Sequence, residues 1–178
     1  MEKVVIINAG SNFVGELLAA VEEVAGKEKV YLINNSKSVE NADVYFFSGR
    51  SLKNQFTLKE AFEIISKIID KPAMYICFGA EALNLYLGGS LKPSSKGIFG
   101  FINVRFSGSS YFPDGNYEFF AARHYNIGSL SKKAKGVATS EFGVEAFEYK
   151  SSLAVMFHPE RSKQQGMALI SSFLKKHL

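Results

Sequence analysis

Four short apolar runs constrain the fold of this chain more than any other feature. They are KVVIIN (3–8), KVYLIN (29–34), DVYFF (43–47) and AMYIC (73–77). Each is rich in β-branched or aromatic residues and has too few polar positions for a strand with a wet face, so each reads as a strand buried on both sides. Between them the period changes. After AGSN, Phe13, Leu17, Leu18 and Val21 recur at helical spacing. Thr57-Leu-Lys-Glu60 is a capping box, in which the Thr57 oxygen takes an early amide while Glu60 reaches back. The helix it opens puts Ala61, Ile64, Ile65, Ile68 and Ile69 on one face, and Pro72 stops it. AEALNLYLGG follows the fourth run as another helix, closed by Gly88-Gly89. Such alternation is the mark of right-handed βαβ units around a parallel sheet.

The second half has a different rhythm. IFGFINVRF (98–106), YEFFAA (117–122), KGVATS (135–140), VEAFEY (144–149) and SLAVMF (152–157) are short strands with turn signals between them, expected as an antiparallel section of the sheet. Residues 90–96 and 107–116, rich in Ser, Gly and Pro, read as loops. The segment from Glu160 to Leu178 spaces Met167, Ile170, Phe173 and Leu174 as a closing helix. The fold class is α/β, and 178 residues without repeat or linker predict one domain, 1–178.

Composition removes several classes of function. The chain is 47% hydrophobic and 21% charged, as soluble globular proteins are. Its net charge is +4, with lysines scattered rather than massed. KKAK (132–135) and KK (175–176) therefore read as solvated surface, and no nucleic acid partner is expected. One cysteine cannot form an intrachain disulfide, which suits a reducing cytoplasm. The apolar part of MEKVVIINAG is too short for a signal peptide, and no run approaches the roughly 18 apolar residues of a membrane span. No cofactor and no metal are expected.

In open parallel sheets, ligands bind beyond the carboxyl ends of the strands. Gly10-Ser11-Asn12, Ser48-Gly49-Arg50, Cys77 and His158-Pro159-Glu160 should converge there. Taken alone, Cys77 is either a buried structural thiol or a nucleophile lifted clear of the sheet by a sharp strand-to-helix turn. In the second case the helix N-terminus favours thiolate, the Phe78 amide faces a developing oxyanion, and Gly79 permits the tight turn. His158 is either a satisfied polar residue or a base, with Glu160 near enough to fix its tautomer. His177 reads as part of a frayed terminus, and His124, after an aromatic strand, could line the site. SGRS (48–51) is either a simple turn or a source of oxyanion amides from Gly49 and Arg50. GSNFVG (10–15) outlines a phosphate loop but lacks the Lys and Thr of a nucleotide-binding one.

Together these residues resemble the class I (triad) glutamine amidotransferase domain. The strand-turn-helix elbow G-x-C-x-G is matched by Tyr75, Ile76, Cys77, Phe78 and Gly79. The late F-H-P-E is matched by Phe157 to Glu160, and the glycine-containing oxyanion strand end by Ser48, Gly49 and Arg50. HPERSKQQGMALISSFL resembles the family's tail, and IINAGSNFVGELLAAVEE the start of the imidazole glycerol phosphate synthase glutaminase; GMP synthase glutaminases share most of the pattern. The resemblance implies a flavodoxin-like three-layer sandwich, Cys77 as nucleophile, His158 as base and Glu160 as its partner. It implies that glutamine, or a related amide, loses its nitrogen as ammonia to a synthase partner.

Three positions depart from the pattern. Tyr75 stands where the elbow normally starts with Gly. Gly79-Ala80-Glu81 replaces a segment whose Gln helps to bind glutamine, so Glu81 brings a negative charge instead of an amide donor. Arg50 stands where a small residue is usual; it could pair with Glu81 or bind a substrate carboxylate. The family's H-S-Y-like segment is reduced to His124, Tyr125 and Asn126. Besides an active glutaminase, the sequence admits a non-catalytic amidotransferase-like module that binds or regulates, and another cysteine hydrolase of the same superfamily.

Overall fold

The structure is a computed structural model describing residues 2–34, 39 and 41–178. Among these, nine strands form a single sheet in the order β2-β1-β3-β4-β9-β8-β7-β5-β6. The four apolar runs become β1 (Val4–Ile7), β2 (Val30–Ile33), β3 (Val44–Phe47) and β4 (Ala73–Ile76), all parallel. Helix α1 (Val14–Ala25) follows β1, α2 (Leu58–Ile68) follows β3, and α3 (Phe78–Tyr86) follows β4. The capping box forms: the Glu60 amide donates to Thr57 Oγ1, and the Thr57 amide donates to the Glu60 carboxylate at 2.6 Å.

Two-sided burial explains why the runs carry no polar alternation. Val4, Ile6, Val44, Phe46, Met74 and Ile76 pack beneath α1 and α4 (Lys163–His177), whose Leu17, Val21, Leu169 and Phe173 meet them. Val5, Ile7, Tyr45, Phe47, Ala73 and Tyr75 point the other way, against Ile64, Ile65 and Leu83 of α2 and α3. Removing each large side chain from water contributes about 1.5–3 kcal/mol. The result is the expected three-layer α/β sandwich. Tyr75, the bulky departure in the elbow, points into the α2–α3 layer and stacks on Phe47 at 6.0 Å, so it does not crowd the turn.

The antiparallel section comprises β5 (Ser90–Phe106), β6 (Gly115–Ser129), β7 (Lys135–Ser140) and β8 (Gly143–Tyr149). Two expectations are corrected here. Residues 90–96 belong to strand β5 and pair with the end of β6, because a bulge absorbs the irregular Ser94-Ser95-Lys96-Gly97: Pro93 opposes Tyr125 and Ile98 opposes Arg123. SLAVMF supplies β9 (Ser152–Val155), which pairs parallel with β4 and antiparallel with β8, so it joins the two sections rather than lying within the second. His177 is the last residue of α4, not a frayed end; its ring packs on Tyr111 and Phe173. Among the described residues, no helix is long and apolar enough to cross a membrane.

Candidate active site

The chain order of β1, β2 and β3 reverses direction at β1, and that switch point opens the crevice. The loops after β1 and β3 are tied together there: the Ala9 amide donates to Ser48 Oγ (2.9 Å) and the Ser51 amide to the Gly10 carbonyl (2.9 Å). Ser11, Asn12, Arg50, Cys77 and His158 line one cavity of about 530 Å3, so all four strand ends named from the sequence converge.

Cys77 sits on the turn between β4 and α3 with φ 49° and ψ −106°. A non-glycine residue pays about 1–3 kcal/mol for such a backbone, and the surrounding structure must impose it. The Cys77 amide is held by the Val155 carbonyl (2.8 Å), and its carbonyl accepts the Glu81 amide (2.9 Å). Phe78 opens α3, so its amide is among the four that a helix leaves unpaired at its start. Gly79 matters for a different reason from the one expected. A Cβ there would lie 2.8 Å from the Phe47 carbonyl oxygen, so the glycine permits α3 to approach β3.

His158 and Glu160 form the second element. Glu160 Oε1 lies 2.8 Å from His158 Nδ1, and both side chains are buried. The backbone fixes the ring from below: the His158 amide donates to the Phe120 carbonyl (2.7 Å), and its carbonyl accepts Ser162 Oγ (2.6 Å). Phe13 packs edge-on against the imidazole at 4.9 Å. Burial alone would pull the His158 pKa down; the charge of Cys77 and the Glu160 carboxylate outweigh it and raise it, so the imidazolium is the favoured partner of an ionised thiol. Gly49 lies against the pair. A Cβ on it would stand 2.9 Å from His158 Cε1 and 3.5 Å from Cys77 Cβ, so only glycine lets the β3 end reach the two side chains.

The cavity walls carry the charged departures. Arg50 makes no ion pair with Glu81; its guanidinium lies over the Phe78 ring at 4.0 Å and donates to the Phe56 carbonyl at 2.6 Å. Glu81 is buried to 8% exposure in the cavity wall. Burial raises its pKa to about 7, against the opposing pull of Arg50, Arg123 and His158. His124 and Tyr125 are exposed at the far wall, where the β5 bulge folds Lys96 and Gly97 over His124. Asn126 turns inward and accepts Arg123 Nε (3.0 Å). Among the described residues, no group of His, Cys, Asp and Glu side chains could hold a metal ion.

Arg123 was missed by sequence reasoning. It is buried, lines the cavity and forms a two-pronged pair with the buried Glu145 (2.6 and 2.9 Å), while also donating to the Met156 carbonyl (3.1 Å). The signal was present in the alternation of β6: Phe119, Ala121 and Arg123 share the inward phase, so a charge stands where an apolar residue is due. Glu145 in VEAFEY is its counterpart.

Comparison with known proteins agrees with this geometry. The family model Glutamine amidotransferase class-I matches residues 5–177. No curated protein matches the chain. Among solved structures, a GMP synthase-like protein from Thermoplasma acidophilum is similar at TM-score 0.86 and 20% identity, over 98% of this chain and 93% of that one. A glutamine amidotransferase from Thermotoga maritima is similar at TM-score 0.78 and 19% identity, over 99% and 97%. At these identities the two structures establish a shared fold, while the family match extends over nearly every residue. The chain belongs to the class I glutamine amidotransferase family.

Proposed function

We propose that this chain is a glutaminase that hydrolyses glutamine through a Cys77 thioester and hands the ammonia to a synthase subunit. One observation carries the reading: the strained Cys77 turn and the His158–Glu160 pair meet at one cavity, with Gly49 packed against both side chains. Cys77 Sγ attacks the side-chain amide carbon, its proton passing to His158, which Glu160 orients through Nδ1. The oxyanion that develops faces the Phe78 and Gly49 amides. Its collapse expels ammonia, which takes the His158 proton. A water, deprotonated by His158, then cleaves the thioester, releasing glutamate and restoring the thiol. Arg50, His124 and Tyr125 bound the side of the cavity suited to the substrate carboxylate, and Glu81, once ionised, can receive its α-ammonium group. The likeness to a GMP synthase-like protein favours a nucleotide-aminating, ATP-dependent synthase as the acceptor. The whole chain, 1–178, acts as one domain, in a reducing compartment such as the cytoplasm, where the thiol stays free.

Ammonia release from glutamine tests this reading, with Cys77→Ala as control: release that depends on Cys77 supports it, and release indifferent to the substitution ends it. A second reading has its own observation. A carboxyl at position 81, buried in the cavity wall, opposes a neighbouring thiolate and suits a non-catalytic binding module. Rapid, glutamine-protected labelling of Cys77 by an electrophilic glutamine analogue would dismiss that module.

A further inference from the structure

Beside the cavity, the β5–β6 ribbon shows an aromatic face. Phe99 is 81% exposed, although it lines the cavity mouth, and Phe101 is 43% exposed. Both rings stand edge-on to Phe120, at 5.3 and 5.6 Å, and Phe120 in turn meets Phe13 at 6.1 Å. Tyr125 and Leu52, also exposed, continue the apolar surface across the mouth. Large apolar side chains clustered in the open, around an opening, are what a partner covers.

The charges around the cluster say what kind of partner. Arg161 lies over the Phe13 and Phe120 rings, at 4.4 and 4.8 Å, and Lys163 over Phe101, at 4.7 Å. Lys96 and Lys53 border the mouth, and Arg105 lies on the outer face of the ribbon. Against them stand Glu118 on the same ribbon and Glu16, 3.8 Å from Arg161. Cations outnumber carboxylates, so a second copy of this face would be repelled, whereas an apolar socket rimmed by carboxylates would be attracted.

We propose that this aromatic and basic face is the docking surface for a synthase subunit that presents an apolar socket edged with Asp and Glu. The inference rests on the glutaminase reading above and names the surface through which the acceptor meets the cavity. Phe101 and Lys163 belong to the face but do not line the cavity, so they report docking apart from chemistry.

The test measures affinity of the full chain for the nucleotide-aminating, ATP-dependent synthase subunit of the same organism, by calorimetry at low and high salt. Phe101→Asp should weaken binding at least thirty-fold. Lys163→Glu should weaken it about ten-fold at 50 mM salt and less at 500 mM, as an exposed interfacial charge does. Labelling of Cys77 by the glutamine analogue, and thermal unfolding, should be unchanged in both. Unchanged affinity in both variants overturns the surface. A wild-type chain that hydrolyses glutamine but does not bind the subunit overturns the proposed partner and leaves the glutaminase reading standing. A wild-type dimer that Phe101→Asp dissolves overturns it in favour of a second copy. Ammonia release independent of Cys77 removes the reading beneath it.

Discussion

The parallel and antiparallel sections divide the work of this molecule. The parallel strands end in one row, and their backbone places the reacting groups: Gly49 after β3, Cys77 after β4, His158 beyond β9. The antiparallel ribbon contributes side chains to the walls instead: Arg123, His124, Tyr125 and the bulge that carries Lys96. A parallel sheet covered on both faces tolerates little change, so position there is fixed by the core. The ribbon has an exposed face and an irregular register, where substitution alters what is bound rather than whether the fold forms. Chemistry should therefore be brittle in the first section and selectivity adjustable in the second.

The largest expected effect tests the brittle side. His158→Ala should lower kcat for glutamine by roughly 10^4-fold with little change in thermal unfolding, as loss of the base does in such triads. A loss under ten-fold would show that the β9 end does not position the chemistry. Next comes the joint between the sections. Arg123→Met leaves Glu145 buried without its partner and should cost about 3–5 kcal/mol in denaturant unfolding. A cost below 1 kcal/mol would mean that the pair is not what seats the ribbon against β8. Gly49→Ala places a methyl against His158 and Cys77 and should reduce kcat about 10^2-fold, without moving the unfolding midpoint by more than a few degrees. Full activity would exclude a backbone contribution from the β3 end.

The smallest effect concerns the wall. The Glu81 pKa is raised to about 7 from 4.5, so its native state holds a proton that the unfolded chain releases between those values. The native state is therefore favoured below pH 4.5, and that advantage fades as pH rises through 7. Glu81→Gln lacks this loss and should gain stability relative to the wild type between pH 5 and 8, up to about 3 kcal/mol. Parallel stability curves would place Glu81 in water rather than in the wall.

Sequence made the parallel section legible because burial on both faces leaves unbroken apolar runs, and capping and turn residues punctuate them. It also made the main site legible, since Cys77 and FHPE lie at strand ends whose convergence follows from topology. The ribbon was harder to read. Ser94-Ser95-Lys96-Gly97 has loop composition, yet a bulge lets the flanking residues pair. The partner of β9 is set by long-range register, which no local pattern encodes. Gly79 was expected to serve a turn, while its role is contact with Phe47, a neighbour thirty-two residues earlier (79 minus 47). The consequence of Tyr75 for the site was equally hidden, because the face to which a strand residue points depends on its phase in the sheet.

The central claim is that Cys77 is a nucleophile held ready by the β4–α3 turn. Mass spectrometry of the chain mixed with an electrophilic glutamine analogue tests it most directly. The account predicts one adduct, on Cys77, formed within minutes at pH 7.5, slowed by glutamine and much slower in His158→Ala. An unmodified chain after hours, or labelling that glutamine does not slow, would contradict it.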